Sequence, residues 1–191
     1  IGVCRTHLWD TVAPETIAAI EQTIKIITNA GGEVNEKTLP GDGEKLTEER
    51  IIINSYERAR ALAHEWFESK DQLSEQLIKT CERGFRISGE RYIAAQRLVE
   101  KSRLEVAERF TDIDALLTPT APGEAPRGFE DAGDPRLQEL WTLLHLPSIT
   151  LPTYSGPNGL PVGIQLIAAR HDEAHLCAIA RWVSQRISLE T

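Results

Sequence analysis

The sequence predicts an α/β fold, a mixed sheet covered by helices, and three features point to it. Residues 1–40 alternate strand, helix and strand. The middle of the chain carries apolar residues at helical spacing. From residue 114 onward, short apolar runs are broken by proline and glycine. The chain has 191 residues, 41% hydrophobic and 26% charged, which is ordinary for a globular domain with a sizeable core.

The elements follow in order. Ile1 to Cys4 is a short apolar strand. Asp10-Thr11-Val12-Ala13-Pro14 leads into a helix in which Ile17, Ile20, Ile24 and Ile27 recur at intervals of three or four on one face. Pro14 suits the first turn and Gly31-Gly32 the stop. Glu33-Val34 opens a second strand, and the unit ends at Leu39-Pro40-Gly41. A strand–helix–strand unit of this kind gives parallel strands. Ile52, Tyr56, Ala59, Ala63 and Trp66 then mark one helical face. A shorter helix covers Asp71 to Glu82 with Gly84 after it. A long helix covers Ser88 to Phe110, with Tyr92, Ala95, Val99, Val106 and Phe110 inward and a solvated charged face outward.

Asp114-Ala115-Leu116-Leu117 reads as a buried strand running into Thr118-Pro119-Thr120-Ala121-Pro122. From there to Pro135 the repeated proline and glycine predict a loop, of a length that is functional or disordered in a compact domain. A short helix covers Leu137 to His145 and a strand Ser148 to Leu151. A five-residue turn at Ser155–Gly159 joins antiparallel neighbours, and a strand covers Val162 to Ile167. Asp172 caps a last helix that runs to Arg186. No repeat and no linker divides the chain, so residues 1–191 read as one domain or part of one.

Charge and composition exclude several functions. Lys and Arg number 21 against 29 Asp and Glu, a net charge of −8 without a basic stripe, which argues against nucleic acid and against an anionic membrane face. No apolar run reaches the ~20 residues of a membrane helix. Cys4, Cys81 and Cys177 are widely spaced and odd in number, which fits free thiols in a reducing cytoplasm. The chain has no methionine and begins at Ile1, read here as a fragment that begins inside a sheet. Such a cut exposes strand edges and apolar surface, so the isolated chain is expected to dimerise, aggregate or stay partly molten.

Common catalytic patterns are missing: no GxGxxG, Walker loop, HExxH or GxSxG. His171 and His175, at i and i+4, share a face if both are helical. His171 falls before the cap, however, so a polar helix start is the simpler reading and no metal site is assigned. The carboxylates carry no acid–base spacing, and no cysteine has a clear histidine partner. Physical reading of the residues therefore stops at an α/β domain with a Pro-rich loop at a strand end, where sites in such folds usually lie.

Three segments go further. Asp114-Ala-Leu-Leu-Thr-Pro-Thr-Ala-Pro122, Leu140-Trp-Thr-Leu-Leu-His-Leu-Pro-Ser-Ile-Thr-Leu-Pro152 and Gly159-Leu-Pro-Val-Gly-Ile-Gln-Leu-Ile167 resemble, in order and spacing, the C-terminal pattern of the amidase signature family. Ile1-Gly2-Val3, Gly31-Gly32-Glu33-Val34 and Leu39-Pro40 match more loosely. Gly159 and Gly163 flank a strand start where backbone turns or approaches closely, and Pro147 and Pro152 bracket a short strand.

The resemblance implies the C-terminal half of the amidase signature fold, with residues 1–191 as the C-terminal part of a single domain. It also implies amide C–N hydrolysis by a Ser–Ser–Lys triad with a backbone oxyanion hole, chemistry that needs no metal or organic cofactor. The family's lysine and Gly/Ser-rich stretch have no counterpart here. The serines stand at positions 55, 69, 74, 88, 102, 148, 155, 184 and 188, none in such a stretch. No catalytic residue is carried over, and the chain alone is expected to be inactive.

As its contribution, the resemblance implies a wall of the substrate pocket, with Thr118, Thr120, Trp141 and His145 as candidates. Each of these also has a fold-shaping reading, and for Trp141 that reading is a core side chain. The implied partners are a small-molecule amide, the N-terminal half of the same protein and a second copy in a homodimer, in the cytoplasm. Two other readings stay open: a non-catalytic partner-binding module, and a fragment of an A-type amidotransferase component that takes part in glutamine-dependent amidation.

Overall fold

A computed structural model describes residues 1–39, 42–128 and 130–190. Pro40 and Gly41, where the opening unit was expected to end, lie outside them. The strands are β1 (Gly2–Val3), β2 (Asn35–Glu36), β3 (Leu116–Pro119), β4 (Ser148–Ser155) and β5 (Pro161–Ile167). The helices are α1 (Pro14–Asn29), α2 (Gly43–Ala61), α3 (Ala63–Glu68), α4 (Glu75–Arg86), α5 (Gly89–Ala107), α6 (Arg136–Leu143) and α7 (Glu173–Glu190). Among the described residues the strands form one mixed sheet in the order β2-β1-β3-β5-β4. β2, β1 and β3 run parallel, while β5 is antiparallel to β3 and to β4.

The chain forms two compact units, Ile1–Gly43 with Arg103–Thr191, and Glu44–Ser102. The first contains the sheet. Side chains alternate along a strand, so Val162, Ile164 and Leu166 of β5 share one face. They join Leu117 of β3, Ile20 and Ile27 of α1, and Ala180 and Val183 of α7 in a single buried cluster. α1 covers this face because its apolar residues fall on one side, but that side is shifted from the expected one. Thr16, Ala19, Ile20, Thr23, Ile26 and Ile27 are buried, whereas Ile17 and Ile24 are only half-buried. Two buried threonines were invisible to a count of isoleucines; the Thr23 hydroxyl bonds the Ala19 carbonyl at 2.8 Å.

α1 ends as predicted. Gly31 adopts φ +84°, the Gly31 N–H donates to Thr28 and the Gly32 N–H to Ile27, which closes the helix by a left-handed cap. β2 begins at Asn35, two residues after the expected Glu33-Val34, because the cap and its exit use Gly31 to Val34. β3 likewise starts at Leu116 and not at Asp114. Pro152 does not end β4: the strand runs on to Ser155, with its register shifted between Leu151 and Tyr154. An edge strand with a bulge tolerates proline, since no ladder partner needs its missing N–H.

The second unit is helical. The expected face through Ala63 and Trp66 is not one helix, because the chain breaks at Leu62 and resumes as α3. Gly84 was expected to follow a helix but lies inside α4 and is buried. A Cβ there would stand 1.9 Å from the Ser55 carbonyl oxygen, so the glycine lets α4 approach α2 at backbone distance. Tyr56 and Tyr92 stack at 4.1 Å, and Arg91 donates to the buried Glu49 carboxylate at 2.5 Å. α5 closes in a tighter turn, Glu108–Phe110. No helix among the described residues is long and apolar enough to cross a membrane.

Candidate functional site

β3 leaves the sheet at its C-terminal end through Thr120. There a cavity of about 670 Å³ opens between the 120–135 loop, the start of α6 and the β4–β5 hairpin. Prolines and glycines fix its shape. Pro152 and Pro161 face it from the two hairpin strands, and Gly163 lets them close up, since a Cβ there would stand 2.9 Å from Thr150 Cγ2 and 3.3 Å from Thr120 Oγ1.

The loop is anchored on two sides. Ala13 at the start of α1 donates its N–H to the Pro122 carbonyl at 2.7 Å. Glu124 accepts from the Asn158 N–H at 3.0 Å, from Asn158 Nδ2 at 2.6 Å and from the Leu160 N–H at 2.9 Å, which ties the loop to the hairpin turn. Desolvation pushes the Glu124 carboxyl upward, but the hydrogen bonds from the Asn158 side chain and from the Leu160 and Asn158 backbone outweigh it. The group is held below the ordinary glutamate range. A Cβ at Gly156 would meet Glu124 Cγ at 2.4 Å, so a larger residue there would displace the Glu124 side chain. In α6, Gln138 Nε2 donates to the Thr120 carbonyl at 3.2 Å.

The cavity belongs to the sheet face opposite the buried cluster. Register places Thr118, Gln165 and Thr150 in a row across β3, β5 and β4 on that face. Gln165 is 2% exposed, and its Nε2, like Thr120 Oγ1, has no hydrogen-bond partner among the described residues. Buried polar atoms are nearly always paired, so this face offers hydrogen-bonding capacity beside an apolar, proline-rich wall. The arrangement can bind and orient a polar group. Among the described residues it brings together no nucleophile and base.

The four predicted residues fall in different places. Thr120 lines the cavity. Thr118 lies two residues earlier on the same face, 1% exposed, with its hydroxyl on the Pro119 carbonyl at 3.2 Å. Trp141 is 1% exposed, and its Nε1 has no partner among the described residues. His145 is exposed at the end of α6 in the left-handed conformation, φ 58°, with Nε2 2.8 Å from Arg103 Nη2. Neither Trp141 nor His145 is among the residues lining the cavity.

Glu124, Gln138 and Gln165 were not foreseen. Gln165 had a signal, a long polar side chain inside an otherwise apolar strand, where burial requires a partner. Glu124 had only its position after Gly123 in the Pro-rich loop. His171 adopts φ 66° ahead of α7 and so does not share a helical face with His175; the described residues hold no cluster of three or more potential metal ligands.

Comparison with known proteins extends this geometry. The sequence model of the Amidase family matches residues 1–177. The A-type component of glutamyl-tRNA(Gln) amidotransferase from Koribacter versatilis is 27% identical over 98% of this chain and 45% of its own length. 2-Amino-5-chloromuconic acid deaminase of Comamonas testosteroni is 27% identical over 94% of this chain and 41% of its own. The crystal structure of an amidase superposes with a TM-score of 0.87 at 26% identity, covering 97% of this chain and 45% of that one. The chain thus spans less than half the length of these relatives and aligns with their C-terminal part.

Proposed function

The chain belongs to the amidase family, and from that premise we propose that it is the C-terminal portion of an amide C–N hydrolase whose nucleophile and base lie in other residues. Its contribution is structural and recognitive. It supplies the sheet and the cavity wall at the exit of β3, where Thr120 presents a hydroxyl to a polar substrate group. The observation that carries this reading is that all three family-like segments meet at one cavity: Thr120 from the first, Thr150 and Pro152 from the second, and Pro161 and Gly163 from the third. Serine-based amide hydrolysis needs charge-stabilising donors at the developing oxyanion. Thr120 Oγ1, from a residue that lines the cavity, and Gln165 Nε2 on the same sheet face have no hydrogen-bond partner among the described residues, and we assign them to substrate orientation and not to catalysis.

The reading extends to a small-molecule amide as substrate, the preceding part of the same protein as partner, a cytoplasmic location and a homodimer. Three free cysteines support the reducing compartment. The amidotransferase reading also has support, since the Koribacter versatilis relative is part of such an enzyme. In it, ammonia released from glutamine would pass to an acyl acceptor.

The test is an amide-hydrolysis assay on a panel of aryl and aliphatic amides and glutamine. It compares the 191 residues alone with a longer chain that carries the segment corresponding to the relatives' N-terminal part. The expected result is no turnover by the chain alone and turnover by the longer one. Turnover by the 191 residues alone overturns the assignment. Glutamine hydrolysis that is stimulated by an acyl acceptor selects the transferase reading.

A further inference from the structure

Asparagine stands at positions 29, 35, 54 and 158, and only Asn158 is followed by glycine. Asn158-Gly159 lies in the turn of the β4–β5 hairpin, and both residues are exposed. Pro157 and Asn158 are the central residues of a β-turn that the Gly159 N–H closes on the Gly156 carbonyl at 3.0 Å. Gly159 has no side chain to shield its own nitrogen, and the space beside it is open, since a Cβ there would meet nothing within 4 Å. The Asn158 side-chain amide is thus followed by the least hindered backbone nitrogen a chain can offer.

The same amide holds the cavity loop. Asn158 Nδ2 donates to Glu124 Oε2 at 2.6 Å, while Glu124 Oε1 takes the Asn158 N–H at 3.0 Å and the Leu160 N–H at 2.9 Å. The donor that faces Glu124 Oε2 is therefore the group that a ring closure at Asn158 expels.

We propose that Asn158 is a site of spontaneous deamidation, and that its product releases the 120–135 loop from the hairpin. The Gly159 nitrogen attacks Asn158 Cγ. The N–Cγ bond forms, the Cγ–Nδ2 bond breaks, and the displaced nitrogen leaves as ammonia with the proton from the Gly159 N–H. Water then opens the succinimide at either carbonyl and gives aspartate or isoaspartate, with no change of oxidation state. Both products set a carboxylate where a donor stood, and two carboxylates at hydrogen-bond distance repel. In the folded turn the Gly159 N–H and Asn158 Nδ2 are both engaged, so the folded chain converts more slowly than the unfolded one, and the product accumulates with the age of the molecule. The inference rests on the tie between loop and hairpin and is independent of what the cavity binds.

Incubation of the folded chain in mildly alkaline heavy-oxygen water, with peptide mass mapping over time, tests the site. The peptide that carries residue 158 is expected to show the amide-to-acid mass shift with one heavy oxygen, ahead of those that carry Asn29, Asn35 and Asn54. An Asn158 that stays intact while the urea-unfolded chain converts, or that converts no faster than the other three, overturns it. Trypsin cleavage at the exposed Arg127 at neutral pH reads the consequence. Asn158→Asp should be cut roughly three- to tenfold faster than the unsubstituted chain, the effect of losing one exposed charge-assisted hydrogen bond. Adding Glu124→Gln to Asn158→Asp reverses donor and acceptor and should slow the cleavage again. Cleavage of Asn158→Asp at the unsubstituted rate, or a double variant cut as fast as Asn158→Asp alone, overturns the release.

Discussion

Gly84 shows how one residue without a side chain sets the distance between two helices. Its Cα sits against the Ser55 carbonyl, and a methyl group would also meet Ala59 Cβ at 2.6 Å. Neither contact can yield by rotating a flexible side chain, because one is backbone and the other a Cβ. Gly84→Ala should therefore lower the stability of the 44–102 unit by about 1–3 kcal/mol, although alanine is the better helix former by ~1 kcal/mol. A urea titration followed by tyrosine and tryptophan fluorescence measures this. An unchanged or raised midpoint would show that α2 and α4 separate freely. At the same scale, Thr120 Oγ1 and Gln165 Nε2 are buried polar atoms without hydrogen-bond partners among the described residues.

At the scale of elements, the connections carry the strain. α6 ends with the His145 N–H donating to Thr142 and the Leu146 N–H to Trp141, the same left-handed cap that Gly31 gives α1, but with a histidine at the strained position. His171 takes a similar φ of 66° immediately before Asp172 and α7. A left-handed residue with a Cβ costs about 1–2 kcal/mol more than glycine in the same conformation, and glycine's extra freedom in the unfolded chain offsets part of this. His171→Gly should then raise the thermal midpoint, by a net stabilisation of about 0.5–1 kcal/mol. A lowered midpoint would mean that the imidazole stabilises the turn. The hairpin β4–β5 shows the opposite arrangement: Gly159, at φ 78°, already occupies its left-handed turn position, and the bulge absorbs Pro152.

Over the whole molecule, acid should act on the unit that holds the sheet. Asp112 and Asp134 are held below the ordinary range by hydrogen bonds from Lys37 and Arg136, and Glu124 by its ties to Asn158 and Leu160. Carboxyls whose folded values are lowered stabilise the fold fully above their unfolded values, and that contribution is lost as pH falls through the folded ones. The 120–135 loop should thus resist proteolysis near neutral pH and be cut increasingly as pH falls below the carboxylate range, about 4. Glu124→Gln, which cannot change charge, should flatten this dependence. A cleavage rate that is independent of pH in the unsubstituted chain would remove Glu124 as the anchor of the cavity. The acid protease used must be calibrated on an unfolded substrate at each pH.

Much of this was legible in the chain. Strand–helix–strand at the start, helices in the middle and a hairpin at the end follow from local spacing and from glycine and proline, which act within a few residues of themselves. The three segments around Asp114, Leu140 and Gly159 placed the chain in its family for the same reason, since order and spacing are properties of the sequence. Only the tertiary structure decided which of their residues meet. It set Thr120 in a cavity with Glu124, Gln138 and Gly163, left Trp141 in the interior, and put His145 beside Arg103. It also moved Gly84 from a helix end to a helix contact, and Asp114 to the far end of its strand from the cavity. A residue's spacing along the chain gives its place on an element, but the element's neighbour, which fixes distance, burial and hydrogen-bond partner, comes from segments tens of residues away.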